Sequence, residues 1–205
     1  TFLHSLEQDF PEWLNCLRRE AVADQVPVIR RETASLLRFL LTAKRPASIL
    51  EVGTAVGYST LLMSEYMPSG SHITTIENYE KRFCAAQENV ERAGRRDRIT
   101  LLFGDAREVL DGLEGGFDFI FMDAAKGQYI HFLPKVLRLM APGALLVSDN
   151  VLQEGDILES RYAVERRDRT IHARMREYLY ELTHHPLLET IVLPVGDGVT
   201  VSVRR

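Results

Sequence analysis

The apolar positions of this chain change period along its length, and the change predicts an alternation of strands and helices. Residues 48–52, 71–77, 99–104, 117–123 and 144–149 form short, largely apolar runs. Runs of that length with little alternation read as strands buried on both faces, as in a parallel sheet. Between them the spacing turns helical. Leu61, Leu62 and Tyr66 align over residues 58–66, and residues 81–93 end at Gly94, a good helix terminator. A short helix falls near residues 107–113, and Leu133, Val136, Leu137 and Met140 mark another, stopped by Pro142-Gly143. Upstream, residues 3–17 and 33–41 are helical in pattern, with Arg45-Pro46 ending the second. Downstream, a helix over about residues 167–182 precedes strands at 188–194 and 199–205, joined as a hairpin through Asp197-Gly198. The whole predicts an α/β fold: a doubly wound, mostly parallel sheet with one antiparallel strand. One domain over residues 1–205 is expected, with N-terminal helices in 1–45 and the core in 46–205.

Composition changes this picture little. A hydrophobic fraction of 45% and a charged fraction of 26% are those of an ordinary soluble globule. No apolar run approaches the roughly 20 residues that span a bilayer. The start, Thr1-Phe2-Leu3-His4-Ser5, lacks a basic stretch followed by an apolar one, so a cytoplasmic location is expected. Cys16 and Cys84 are the only cysteines and neither belongs to a CxxC, which excludes a disulfide framework as the organising device. With a net charge of −4, any nucleic-acid contact must rest on a local basic patch.

The chemistry gathers where strands end. Asp123-Ala124-Ala125-Lys126 follows one apolar run and Asp149-Asn150 follows the next. In an open parallel sheet, neighbouring strands deliver their carboxyl ends to one crevice, where ligands bind. Two carboxylates, a carboxamide oxygen and an amine therefore meet at one edge, a hard-cation site with a base beside it. The first strand ends in Glu51-Val-Gly-Thr-Ala-Val-Gly-Tyr-Ser59 and opens a helix. Its G-x-x-x-G spacing is neither the dinucleotide fingerprint nor a phosphate loop. Glu51 would repel a pyrophosphate and could hold an ammonium group. Glu77, ending the second strand, is placed for a ribose diol, and Gly104-Asp105-Ala106, after the third, for an exocyclic amine. Taken singly, each has a plainer reading: Asp105, Asp123 and Asp149 as helix caps, Asn150 as a turn residue, Lys126 as an ion-pair partner. Their order along successive strand ends favours the ligand site.

That set, with Asp123-x-x-Lys126-x-x-Tyr129, resembles the cation-dependent O-methyltransferases, which include catechol and caffeoyl-CoA O-methyltransferases and bacterial relatives. The resemblance covers roughly residues 25–205. It implies a Rossmann-like class I methyltransferase sheet of seven strands in the order 3-2-1-4-5-7-6. It also implies S-adenosylmethionine as cofactor: Gly53 lining the methionine moiety, Ser59 at the polar end, Glu77 on the ribose, and Asp105 with Ala106 on the adenine. Glu51 and Asp123 complete the expected cofactor set. By the same resemblance Asp123, Asp149 and Asn150 hold a divalent cation, Lys126 is the base, and the protein is a homodimer. Phe10, Trp13, Leu14 and Leu17 offer a contact for that dimer.

Donor chemistry supports the cation. Three oxygen donors without His or Cys favour a hard ion over zinc, and leave about three of six octahedral positions open, a habit of magnesium. A substrate with two adjacent oxygens would chelate there, its hydroxyl acidified, and a neighbouring cation would depress the Lys126 pKa. Attack on a sulfonium methyl expels a neutral thioether, so no general acid is needed.

For the substrate, Ala124 and Ala125 imply an open mouth. The run from Arg161 through Arg166, Arg167 and Arg169 to Arg174 and Arg176 reads either as a salt-bridged solvent face or as an RNA phosphate track. On that helix Ile171, Met175, Tyr178, Leu179 and Leu182 share the apolar face. The ending is similar to bacterial members that methylate 5-hydroxyuridine at the tRNA wobble position, whose 5-hydroxyl and 4-carbonyl form a bidentate oxygen pair. Methylation of that base in the tRNA anticodon loop is the leading expectation, with Tyr129, Tyr162 or His172 stacking on it and Arg166 and Arg169 on phosphates. A small catechol-like phenol is the alternative. Two further readings are a non-catalytic cofactor-binding module that contacts RNA, which leaves Lys126 unexplained, and a nicotinamide dehydrogenase, which the glycine spacing disfavours.

Overall fold

The computed structural model describes residues 8–160, 162 and 164–205. Its strands are β1 (Ser48–Val52), β2 (His72–Glu77), β3 (Ile99–Phe103), β4 (Phe117–Met122), β5 (Met140–Ser148), β6 (Leu188–Leu193) and β7 (Val199–Arg204). They form one sheet in the order β3-β2-β1-β4-β5-β7-β6. The first five pair in parallel, and β7 runs antiparallel to both β5 and β6. Strand order, parallel core and single antiparallel strand match the expectation. The described helices are α1 (Glu12–Ala23), α2 (Arg31–Lys44), α3 (Tyr58–Tyr66), α4 (Glu80–Arg92), α5 (Ala106–Gly112), α6 (Tyr129–Leu139) and α7 (Arg169–His184). None of them is long and apolar enough to cross a membrane.

Alternation along the strands divides the core into two layers. Phe119 and Phe121 of β4 face one side, with Ile49, Ile73 and Val147, and meet Leu14 and Leu17 of α1, Leu37 and Leu41 of α2, and Leu61 and Leu62 of α3. Ile120 and Met122 face the other, with Leu50, Val52 and Leu146, and meet Phe132, Leu133 and Val136 of α6 and Met175, Tyr178 and Leu182 of α7. Each fully buried side chain of this size contributes roughly 1.5–3 kcal/mol. Phe10, Leu14 and Leu17 are thus buried within the chain itself, which corrects their assignment to a dimer contact; of that set only Trp13 is exposed.

Several boundaries and one helix face differ from the sequence reading. The first described helix opens after Pro11 and continues to Ala23, because Ala21 extends the buried stripe of Leu14 and Leu17; the expected start at residues 3–7 lies outside the described residues. α6 ends at Leu139, and Met140 already pairs with Phe117 in β5. The register then jumps, so that Phe119 faces Leu145. Pro142-Gly143 therefore sits in an irregular stretch of β5, where the missing N–H of proline interrupts no ladder. On α7, His172 rather than Ile171 joins Met175, Tyr178 and Leu182 in the buried stripe.

What positions the site is the way strands end level. Val52 lies beside Ile76 on one side and Met122 on the other, and Met122 beside Ser148. The next residue of each strand is then fixed by its neighbour's last carbonyl. Gly53 N–H donates to Ile76 (3.1 Å), Gly104 to Glu77 (3.0 Å), Asp123 to Val52 (2.9 Å) and Asp149 to Met122 (3.0 Å). Beneath that edge, Tyr178 hydroxyl and Ser148 Oγ lie 2.6 Å apart, both fully buried. Tyr178→Phe leaves Ser148 without its partner, and urea titration should show a loss of about 1–3 kcal/mol, whereas exposed Tyr180→Phe should show none.

Candidate active site

A cavity of about 620 Å³ opens along this edge, within the size range of small-molecule sites. One end is lined by Glu77, Asn78, Arg82 and residues 104–107, the other by Asp123, Lys126 and Asn150. Gly53 lies between, and residues 27–29, ahead of α2, form part of the wall. The sequence reading had no means of placing this last segment.

The glycine loop is shaped first by the sheet. Gly53 has φ +105°, and a Cβ there would overlap the backbone carbonyl of Asp123. Glycine is therefore required by the approach of β4 itself, whatever the ligand. Glu77 holds the loop in place. Its Oε2 accepts Ala55 N–H at 2.8 Å, and its Oε1 accepts Asn78 N–H at 3.0 Å and Tyr79 N–H at 2.9 Å. With about four acceptor positions on a carboxylate, roughly one remains for a hydroxyl in the cavity. Asp105 caps α5 by accepting Arg107 N–H at 2.8 Å and pairs with the Arg107 guanidinium at 2.7 Å. Those bonds to Arg107 hold its carboxyl below the ordinary range. It is a helix cap and a cavity residue at once, and Ala106 lines the wall beside it.

Glu51 and Ser59 stand elsewhere. Neither lines the cavity; both are buried behind the loop. The period of the strand explains this: Leu50 and Val52 belong to the α6–α7 layer, so Glu51 points the opposite way, beneath α3. Its Oε2 accepts the hydroxyls of Thr60 and Thr75 (2.6 Å from Thr75), while Oε1 has no partner among the described residues. Burial pushes this carboxyl up to about 7, against the pull of the hydroxyls around it.

The acidic end is a tight cluster. Lys126 Nζ lies 2.8 Å from Asp123 Oδ1, 3.0 Å from the Tyr129 hydroxyl and 3.4 Å from the Asp149 carbonyl. Burial acts to lower the Lys126 pKa, but Tyr129 and Asp123 outweigh it and raise it above the ordinary value. Asp149 is 1% exposed, and burial, aided by the charge of Asp123, pushes its carboxyl up to about 6. Its Oδ1 accepts the hydroxyl of Thr33 at 3.1 Å, a contact across 116 positions that no local pattern announces. Asn150 takes φ +57°, a conformation asparagine tolerates. Among the described residues no three His, Cys, Asp or Glu side chains gather anywhere. The oxygen set of Asp123, Asp149 and Asn150 suits a hard divalent cation and not zinc.

Tyr129 is fully buried, its hydroxyl donating to the Met122 carbonyl (3.0 Å). It underlies Lys126 and does not line the cavity, which corrects its assignment as a substrate contact. His172 is likewise buried, its Nε2 3.2 Å from the Glu159 carbonyl. The arginines are mostly tethers. Arg169 reaches the Val164 carbonyl (3.2 Å), Arg174 the Gly127 carbonyl (3.2 Å) and Arg176 the Ile157 carbonyl (3.1 Å), while Arg167 pairs with Glu165 (3.0 Å). Arg166 and Tyr162 are exposed, and Arg161 lies outside the described residues.

A doubly wound sheet with a cofactor-sized cavity across its switch point, acidic at one end, defines an α/β enzyme of the nucleotide-cofactor class. The family model described as O-methyltransferase matches residues 4–205, and the chain belongs to that family. A catechol O-methyltransferase of Mycobacterium tuberculosis is 30% identical over 183 residues, covering 86% of this chain and 80% of that protein. A catechol O-methyltransferase of Niastella koreensis is 37% identical over 127 residues, covering 60% of this chain and 58% of that protein. The crystal structure of an O-methyltransferase from Bacillus cereus in complex with SAH has a TM-score of 0.87 at 26% identity, covering 100% of this chain and 96% of that one.

Two outcomes follow from the loop. Gly53→Ala forces β1 and β4 apart, so soluble yield and melting temperature should fall sharply, while Gly70→Ala, with open space around it, changes yield little. Glu51 has a folded pKa of about 7, above its ordinary 4.5. The contribution of Glu51 to stability is therefore full below about pH 4.5 and is lost as pH rises through 7. Glu51→Gln should remove that decline, gaining on the parent by on the order of 3 kcal/mol between pH 5 and 8. A constant difference across that range in denaturant titrations would contradict it.

Proposed function

We propose that this protein transfers the methyl group of S-adenosylmethionine to one hydroxyl of a small phenol that carries two adjacent oxygens, with a hard divalent cation, magnesium by donor chemistry. The observation that carries the reading is the continuity of one cavity from Glu77 and residues 104–107 to Asp123, Lys126 and Asn150. The first end suits a nucleoside: Glu77 keeps an acceptor for the ribose, and residues 104–106 offer backbone and Asp105 to an adenine edge. Gly53 and Asp123 flank the place for the methionine portion. The relatives named catechol O-methyltransferases support the phenol.

Asp123, Asp149 and Asn150 would hold the cation, which when bound acidifies a chelated hydroxyl and orients it. Lys126 is an ammonium while Asp123 and Tyr129 hold it; with the cation on Asp123 that pairing would be lost, and the neutral amine, braced by Tyr129 and the Asp149 carbonyl, would take the hydroxyl proton. The sheet edge aligns that oxygen with the methyl group, and the bond from carbon to oxygen forms as the bond from carbon to sulfur breaks. The departing thioether is neutral, so the protein supplies no acid. Ala124 and Ala125 leave the mouth open and place little restriction on the rest of the ring.

The tRNA base is the alternative substrate: Arg169, Arg174 and Arg176 are engaged with carbonyls of their own chain, while Arg166 stays exposed. One assay decides between them: labelled S-adenosylmethionine and magnesium with a panel of catechols in one arm and hydroxyuridine-bearing tRNA in the other. Label should enter catechols, fall at least about 100-fold in Lys126→Ala and Asp149→Ala, and vanish with chelator until magnesium returns. Label entering tRNA alone would overturn the substrate class, and transfer that survives both substitutions would overturn the site.

A further inference from the structure

Thr33 sits in the first turn of α2, fully buried, and its hydroxyl bonds outside its own helix. Thr42 and Thr183 donate back to the carbonyls of Arg38 and Leu179, each at 2.8 Å, the ordinary local bond of a threonine in a helix. Thr33 instead donates to Asp149 Oδ1 at 3.1 Å, across to the end of β5. Behind it lies the loop between β6 and β7. Gly196 has φ +59°, and a Cβ there would stand 2.7 Å from Thr33 Oγ1. The hydroxyl is thus confined between that loop and the carboxylate. The same loop fixes the chain just beyond Asn150: Val151 N–H donates to the Gly198 carbonyl and Leu152 N–H to the Asp197 carbonyl, each at 3.0 Å. Three separate segments therefore hold residues 149–152: β4 through the Met122 carbonyl, the β6–β7 loop through backbone bonds, and α2 through one hydroxyl.

We propose that Thr33 is a positioning residue for the cation site, its hydroxyl fixing the orientation of the Asp149 carboxylate from outside the set of cation donors. A backbone held by β4 and the loop still leaves the carboxylate free to turn about its side-chain bonds. One hydrogen bond to Oδ1 removes that freedom and leaves the remaining acceptor positions for a cation. Partners of this kind behind a ligating carboxylate typically set metal affinity by 10–100-fold. None of the three proposed cation donors lies on α2 or the loop, so the effect of Thr33 runs through Asp149. The inference rests on the reading that Asp149 holds the cation.

The test is manganese binding, followed by the free-ion electron paramagnetic resonance signal, for the parent protein, Thr33→Val, Thr33→Ser and Asp149→Asn, each also titrated with S-adenosylhomocysteine. Thr33→Val keeps the volume and deletes the hydroxyl; it should weaken manganese by about 10–100-fold, with S-adenosylhomocysteine affinity unchanged. Thr33→Ser should restore most of the lost affinity, which a purely space-filling role would not do. If Thr33→Val does not fold, Thr33→Ala against Thr33→Ser makes the same comparison. Manganese binding that needs Asp149 but ignores the Thr33 hydroxyl overturns the inference and leaves the cation site standing. Parent protein that binds no manganese, or binds it as well after Asp149→Asn, overturns the cation reading and the inference with it.

Discussion

The site depends on one constraint: adjacent parallel strands end at the same height, and each hands its next amide to its neighbour's last carbonyl. Asp123 N–H on Val52 and Asp149 N–H on Met122 continue the ladder by one bond past β4 and β5. Asp123 and Asp149 are therefore not on free loops but on the last rung of the sheet. Packing enforces the register, since a slip of one residue would exchange Phe119 and Phe121 with Ile120 and Met122 between two filled layers. The same edge explains the glycine at 53, whose neighbour is the carbonyl of Asp123.

That geometry concentrates charge. Burial raises the pKa of Asp149, and Asp123 is close enough for its charge to raise it further. Lys126 answers part of this, held between Asp123 and Tyr129 on the platform that Tyr129 makes with Tyr178, their rings 5.3 Å apart and edge to face. A buried carboxylate beside a half-buried one, with one ammonium between them, is an arrangement that a divalent cation would relieve. At the other end, Glu77 is already engaged by three backbone amides, so its position is fixed before any ligand arrives.

Much of the fold was legible because its strands are buried on both faces. β1 and α3 were readable to the residue and β4 to within one, since the apolar runs of the strands stop abruptly at Gly53 and Asp123. The start of β5 was not, because Pro142-Gly143 has the local signature of a helix stop and only pairing with β4 reveals a strand. The acidic cluster was legible as an order of residues at strand ends. The direction of a side chain was harder. Glu51 reads like a ligand residue until the alternation of β1 turns it beneath α3, and Tyr129 reads like a stacking ring until its hydroxyl is found under Lys126. Thr33 was illegible in principle, because its partner lies at the far end of the sheet's connectivity.

The central claim is that one cavity takes a nucleoside cofactor at Glu77 and a hard cation at Asp123, Asp149 and Asn150. A crystal structure with S-adenosylhomocysteine and manganese, phased for anomalous signal, measures both at once. The expected result is a single strong anomalous peak among those three residues, with the ribose on Glu77 and the adenine against Asp105 and Ala106. A peak elsewhere, or the cofactor bound away from Glu77, would contradict it.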